Sequence, residues 1–225
     1  MNLRTFSIRF LLGCFITIQI SANGSTEELN VQYIHHCTLA SDINEHVPVL
    51  KRLSEECESV TEIGVREAVS TWGILKGLSE NNKTKKGYLG IDLCYPSCLL
   101  QLSSIAEGAA VDFDFWKVND MEIGIPETDM LFIDSLHTYC HLTYELETFS
   151  PKVRKYITMH DTSAPWGNQD DDAYHGNYSE YPEHINKQKR GLWPAVEDFL
   201  STHPEWKLKE RKLNNHGFTI LERVK

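Results

Sequence analysis

Two short runs concentrate the residue types that do chemistry. Asp134-Ser135-Leu136-His137 follows the apolar stretch Met130-Leu131-Phe132-Ile133, and His160-Asp161-Thr162 follows Tyr156-Ile157-Thr158-Met159. Each run sets a carboxylate at the end of a strand-length apolar segment, so two neighbouring strand ends would each present one. Carboxylate oxygens from separate strands suit a hard divalent cation such as magnesium, with His160 as an extra, softer ligand. The competing reading has Asp134 and Asp161 merely capping the turns that follow. His137 carries an imidazole whose ordinary pKa of about 6.5 suits a general base near neutrality. Being three residues after Asp134, it would serve equally well to fix the turn by donating to that carboxylate.

A second set lies earlier in the chain. Glu62-Ile63-Gly64 ends an apolar run, and the glycine stands where a ligand must approach the backbone closely. Ala68 occupies a place where a second glycine would strengthen a phosphate loop, and no Lys-Ser or Lys-Thr follows, which argues against a triphosphate-gripping turn. The next apolar run, Tyr88 to Ile91, ends at Asp92, a carboxylate placed to accept from ribose hydroxyls. Asn119-Asp120 ends the run after that and suits an adenine edge. Together these ends fit a cofactor containing a nucleoside.

The elements that must hold these residues alternate. Strand-like runs over 59–63, 88–92, 111–118, 130–134 and 156–160 are interleaved with helix-period segments over 66–78, 99–108 and 141–149. Strand and helix in alternation predict a mostly parallel sheet covered on both faces, an α/β Rossmann-like fold whose ligands bind beyond the strand carboxyl ends. A helix over 192–200 and two strands, 206–211 and 217–223, around Asn214-Asn215-His216 predict an antiparallel hairpin at the C-terminal end. Residues 25–47 read as a mixed polar segment before a packing helix at 49–57. Residues 162–190 form a connection longer than the roughly 12–15 residues usual for structureless loops, and Trp166, Tyr174, Tyr178 and Tyr181 mark it as a substrate loop.

Composition bounds the rest. The chain has 225 residues, 41% hydrophobic and 24% charged, enough for one full domain with a sizeable core. A net charge of -10 without a dense basic block argues against nucleic acid as a partner. Arg4 and Arg9 precede the apolar run Phe10 to Ile20, followed by small residues at Ser21 and Ala22, the layout of a cleavable secretory signal over residues 1–22. A secreted or secretory-pathway protein is expected, with membrane contact only if that segment is retained as an anchor. Three Asn glycosylation patterns, at Asn23, Asn82 and Asn177, agree with such a compartment. Six cysteines are present; loss of Cys14 with the signal leaves an odd number, so one thiol would be free or paired between chains. Cys94 and Cys98 are too isolated to support a structural zinc site. The domain plan is thus a leader over 1–22, a lead-in over 23–58 and one domain over 59–225, and a homo-oligomer is left open.

From about Val60 to Val224 the sequence resembles the class I S-adenosylmethionine-dependent methyltransferases, in the branch of metal-dependent small-molecule and sugar O-methyltransferases and cephalosporin-hydroxylase-like proteins. The resemblance rests on an ordered series: Glu62-Ile63-Gly64, Val69-Ser70-Thr71-Trp72, Phe132-Ile133-Asp134 with His137 and Tyr139, His160-Asp161-Thr162, Gly191-Leu192-Trp193-Pro194-Ala195-Val196 and Asn214-Asn215-His216-Gly217. It implies that Glu62, Gly64 and Ser70 hold the amino-acid part of S-adenosylmethionine, that Asp92 takes its ribose, and that Asp120 lies near adenine. It further implies a divalent metal, magnesium above all, at Asp134, His160 and Asp161, with His137 as general base. Some relatives carry an acidic residue where His160 stands. The implied activity is methyl transfer to a hydroxyl of a sugar, glycan or other small polyol. Two alternatives stay open: a binding protein that kept the fold and lost turnover, and a nicotinamide-dependent oxidoreductase reusing Gly64 and Asp92.

Overall fold

The computed structural model describes residues 22–171 and 178–224. The leader expected over 1–22 falls outside these except for its final residue, as do Tyr174 and the acceptor Asn177. Among the described residues no helix is long and apolar enough to cross a membrane.

Seven strands form one sheet: β1 (Ser59–Ile63), β2 (Gly87–Asp92), β3 (Asp112–Lys117), β4 (Thr128–Ile133), β5 (Val153–His160), β6 (Trp206–Lys212) and β7 (Phe218–Arg223). Their spatial order is β3-β2-β1-β4-β5-β7-β6. The first five run parallel, and β7 lies antiparallel between β5 and β6. The predicted hairpin is therefore present and inserts its second strand beside β5. β4, Thr-Asp-Met-Leu-Phe-Ile, is buried along its whole length, as a central parallel strand covered on both faces must be. The edges differ: β6 carries Lys207, Lys209 and Lys212 on exposed or half-buried positions, which discourages further strand pairing.

Helices α1 (Ala22–Thr38), α2 (Val47–Ser54), α3 (Val69–Glu80) and α4 (Leu99–Gly108) cover one face, around Leu50, Trp72, Leu75 and Leu102. Helices α5 (Tyr139–Phe149) and α6 (Leu192–Thr202) cover the other, around Leu131, Leu146, Ile157 and Phe199. Gly73 and Gly77 let α2 cross close to α3, for a Cβ on either would lie within 2.7 Å of an α2 carbonyl oxygen.

Two expectations are corrected. Much of the segment read as mixed and polar, residues 25–38, belongs to a 17-residue helix, α1. It buries little beyond Ser25 and Leu29 while Val31 and Ile34 face outward, so no apolar stripe betrays it. The helix expected from Arg66 begins only at Val69, because Arg66 and Ala68 adopt left-handed backbone at φ 47° and 64°. All five cysteines among the described residues are free thiols, with Cys57 and Cys140 buried.

Candidate active site

The sheet order reverses between β1 and β4, so the carboxyl ends of these two neighbours open the crevice where open α/β sheets bind ligands. Gly64 ends β1 at φ 85°, and its α-carbon sits so close to the end of β4 that a Cβ would fall 2.0 Å from the Asp134 carbonyl oxygen. The turn into α3 then passes through left-handed Arg66 and Ala68. Successive amides in such a turn form a concave anion cradle. Here Asp92 fills it: one carboxylate oxygen accepts from the Val65 and Arg66 amides at 2.8 Å each, the other from the Cys94 amide at 2.9 Å. Three of the roughly four lone-pair sites of a carboxylate are thereby engaged. Asp92, read from the sequence as a free ribose ligand, is first a staple between the ends of β1 and β2 and keeps about one acceptor site for a hydroxyl.

Glu62, expected to touch the cofactor, turns inward. It is fully buried and accepts from Ser70 Oγ, from Thr71 Oγ1 at 2.8 Å and from Tyr88 Oη at 2.5 Å, tying β1 to β2 and α3. Ser70 lines the pocket wall but spends its hydroxyl on Glu62. Burial pushes the Glu62 carboxyl up to about 7, against the hydrogen bonds that favour its ionised form. The folded chain thus holds a proton that the unfolded chain releases near 4.5, so this contribution to stability is full below that pH and is lost as pH rises through about 7. Relative to Glu62→Gln, the wild-type free energy of unfolding should fall by about 3 kcal/mol between pH 4.5 and 8. Parallel urea titrations of the two proteins check it; curves that keep a constant separation would contradict it.

A cavity of about 530 Å3 runs from Gly64 past Asp92 to Asn119, Asp120, His141 and Tyr181. Beside it a pocket of about 110 Å3 is lined by Asp42, Arg66, Ser70, Asp134, His137 and Asp161. Asp120, expected to lie near adenine, lines the far end of the cavity, where its Oδ2 faces His141 Nε2 at 3.1 Å. Glu145, one turn further along α5, is fully buried beside them, and burial pushes its carboxyl up to about 8. The pKa of His141 is raised, because Glu145 and Asp120 outweigh its burial.

Asp134, His137 and Asp161 meet where the two cavities adjoin, with one potential ligand atom from each within 4.8 Å of the others. His137 Nε2 is 3.0 Å from Asp161 Oδ2 and 3.5 Å from Asp134 Oδ1. No aligned hydrogen bond joins them. The atoms of this ion-paired cluster, about 3 Å apart, are also spaced as neighbouring ligands of an octahedral magnesium ion would be. His160 lies behind this triad: Nδ1 is 3.3 Å from Asp134 Oδ1 and 3.2 Å from Asp161 Oδ2, while Nε2 donates to the Asn215 carbonyl at 3.0 Å. A ring whose second nitrogen is fixed on a carbonyl is oriented as a ligating or supporting histidine.

The electrostatics follow from this packing. Burial works to raise the Asp134 carboxyl, but His160 and His137 outweigh it and hold the group well below the usual range; Asp161 is likewise held down by His137 and His160. In return both carboxylates push His137 up to about 9, and His160 well above its ordinary value, against the effect of burial. Without added positive charge His137 is therefore an imidazolium at neutral pH and has no lone pair for a substrate proton.

No protein-family model matches the chain, and no curated protein matches it. Solved structures do. The O-methyltransferase TomG from Streptomyces achromogenes, involved in tomaymycin synthesis and crystallised with SAM, superposes with a TM-score of 0.55 over 94% of each chain at 12% identity. A methyltransferase from Geobacter sulfurreducens gives 0.54 over 91% of this chain and 88% of its own at 11% identity, and the O-methyltransferase from Bacillus cereus in complex with SAH gives 0.51 over 92% and 93% at 13%. The fold is that of the class I methyltransferases.

Within this methyltransferase fold, several residues of the site escaped sequence reasoning. Asn215 lies in the β6–β7 turn at φ 47°, and its carbonyl is shared by His160 and His46, the latter at 3.3 Å. Asn214 and Asn215 side chains reach Glu45 and the Ser41 carbonyl, so the turn also holds the lead-in segment against the site. The Asn-Asn-His run signals the turn, but nothing local reveals that it meets the end of β5. Trp166 of the expected substrate loop stacks on His137 at 5.9 Å, and Asp170 accepts from the Tyr139 and Gly191 amides at 2.9 and 2.8 Å. The described part of that loop is anchored beside the crevice, at His137 and at the start of α5.

Proposed function

We propose that the chain is an O-methyltransferase that moves the methyl group of S-adenosylmethionine to a hydroxyl of a small acceptor, a sugar, glycan or other polyol, with the help of a divalent metal. The convergence of Asp134, His137 and Asp161 beside the larger cavity carries this reading. The cavity volume lies within the roughly 300–1,000 Å3 typical of small-molecule sites. Its acidic wall, Asp92, Asp120 and Asp134, favours a cationic sulfonium donor. The same wall weighs against a nicotinamide dinucleotide, since the turn amides that would cradle a pyrophosphate are already held by Asp92.

In the reaction the acceptor oxygen forms a bond to the methyl carbon, the sulfur keeps the electron pair of the broken S–C bond, and the hydroxyl proton leaves to His137. Asp134 and Asp161 supply the anionic oxygens, and His160, fixed by Asn215, keeps them oriented. Asp134 and Asp161 would hold a magnesium ion, which would supply positive charge that acidifies an acceptor hydroxyl and favours the neutral form of His137. Trp166 excludes water from the outer face of His137.

The signal-like leader and the exposed glycosylation pattern at Asn82 support a place in the secretory pathway, as a secreted protein or, with the leader retained, a membrane-anchored one. Calorimetric titration of the folded chain with S-adenosylmethionine, with and without magnesium, followed by mass detection of methylated products from a sugar panel, tests the proposal. Binding and a product 14 mass units heavier (about one CH2) are expected. Absence of binding would overturn the reading. The engagement of Asp92 and the histidine at 160 favour one second reading, a binding protein of the same fold; binding without product across the panel would support it.

A further inference from the structure

We propose that Asp120, His141 and Glu145 form a second cation site, one that takes a divalent transition metal such as zinc or manganese and locks the far end of the large cavity. The proposal goes beyond methyl transfer and does not depend on it. His141 and Glu145 stand one turn apart on the same face of α5, the spacing by which a helix presents two ligands to one ion. Asp120 comes from the connection after β3. One potential ligand atom from each lies within 4.8 Å of the other two.

Two separations are nearer still, since His141 Nε2 is 3.1 Å from Asp120 Oδ2 and 3.8 Å from Glu145 Oε1. Ligands around a tetrahedral zinc ion stand about 3.4 Å apart. Asp120 Oδ2 is buried and finds no aligned hydrogen bond despite that approach, and Glu145 Oε2, on a side chain with no exposure, finds none either. Buried carboxylate oxygens left in this state are costly unless a cation completes them.

The surroundings fit the chemistry of the donors. His141 Nδ1 is 3.1 Å from Tyr181 Oη and Ser135 Oγ donates to Glu145 Oε1 at 2.7 Å, the outer contacts that orient a ligating imidazole and carboxylate. With the Nδ1 proton on Tyr181, the Nε2 lone pair points to the cluster. With the imidazole neutral and both carboxylates ionised, the three donors carry two negative charges, which a dication cancels. A mixed nitrogen and oxygen set suits zinc or manganese better than magnesium. Asp120 and His141 both line the large cavity, which gives the ion an entry path and a fourth position for water.

The test separates this site from the one at the strand ends. The full chain carrying Asp134→Asn and Asp161→Asn, stripped of metal and checked for its fold by circular dichroism, is titrated calorimetrically with manganese chloride and then with zinc chloride. One saturable equivalent is expected for at least one of the two metals, and adding His141→Ala and Glu145→Gln should weaken it by roughly 100-fold. No saturable binding of either metal in the first protein, or undiminished binding in the second, overturns the site. Wild-type crystals soaked in each salt give a reading that survives any folding defect of the variants. An anomalous peak is expected within about 2.5 Å of His141 Nε2, and its absence with both metals overturns the proposal whatever appears at Asp134.

Discussion

On the proposed metal-assisted methyl transfer, Asp134→Asn and Asp161→Asn, made singly, are each expected to lower kcat/KM by at least about 1,000-fold, because positioned metal charge would contribute several kcal/mol to such a transition state. Asparagine is the right probe at both positions. Asp161 sits at φ 57°, a left-handed conformation that Asn adopts at lower cost than Ala, so Asp161→Ala would add backbone strain to the lost charge. The amide also keeps one oxygen within reach of the His137 and His160 rings. A chain whose circular dichroism is unchanged and whose turnover survives in both variants would refute a metal role for these groups.

The same substitutions have a signature independent of turnover. Asp134 and Asp161 push His137 up to about 9, so in the metal-free protein its bound proton stabilises the folded chain fully below about 6.5 and ceases to do so as pH rises through about 9. Removing either carboxylate should bring the His137 titration back toward 6.5, which the ring-proton NMR shifts report. Metal affinity in the wild type should rise across the same interval, since the imidazolium repels an incoming dication and must yield its proton.

What the sequence disclosed and what it hid divide along a physical line. Short apolar runs ending in a polar residue mark parallel strands and their carboxyl ends, because burial on both faces leaves no other place for the chemistry. β1 and α4 accordingly fall on their expected bounds, and Asp134 and Asp161 meet. Residue roles within a strand end are harder. Glu62 and Asp92 are both acidic residues near Gly64, yet one satisfies three buried hydroxyls and the other three backbone amides, choices made by partners from separate elements. The Asp120, His141 and Glu145 cluster was hidden for the same reason: only the i, i+4 pair is local, and the third member arrives from across the sheet. α1 escaped because a helix that buries a single narrow seam leaves no periodic trace.

Gly64→Ala is expected to be the most damaging glycine-to-alanine change among the described residues. The backbone there stands at φ 85°, where a Cβ costs about 1–2 kcal/mol before any contact is counted. The new atom would also lie 2.0 Å from the Asp134 carbonyl oxygen, 2.4 Å from its carbon and 2.8 Å from the Ser135 amide nitrogen. These are backbone atoms, so no rotamer change relieves the overlap. The strands cannot slide apart cheaply either, for the Gly64 amide donates to Ile91 at 2.9 Å and the Asp134 amide to Ile63 at 2.8 Å. A loss of at least about 4 kcal/mol is expected, a large share of the 5–15 kcal/mol that holds a typical domain together. Thermal unfolding followed by circular dichroism checks it, with Gly87→Ala as the control. A Cβ at Gly87 meets nothing within 4 Å, so its Tm should match the wild type or exceed it slightly. A Gly64→Ala chain melting within about 3 °C of wild type would mean that the ends of β1 and β4 can part freely, and strand ends that part cannot hold Asp134 to the tolerance of about 0.5 Å that a preorganised site requires.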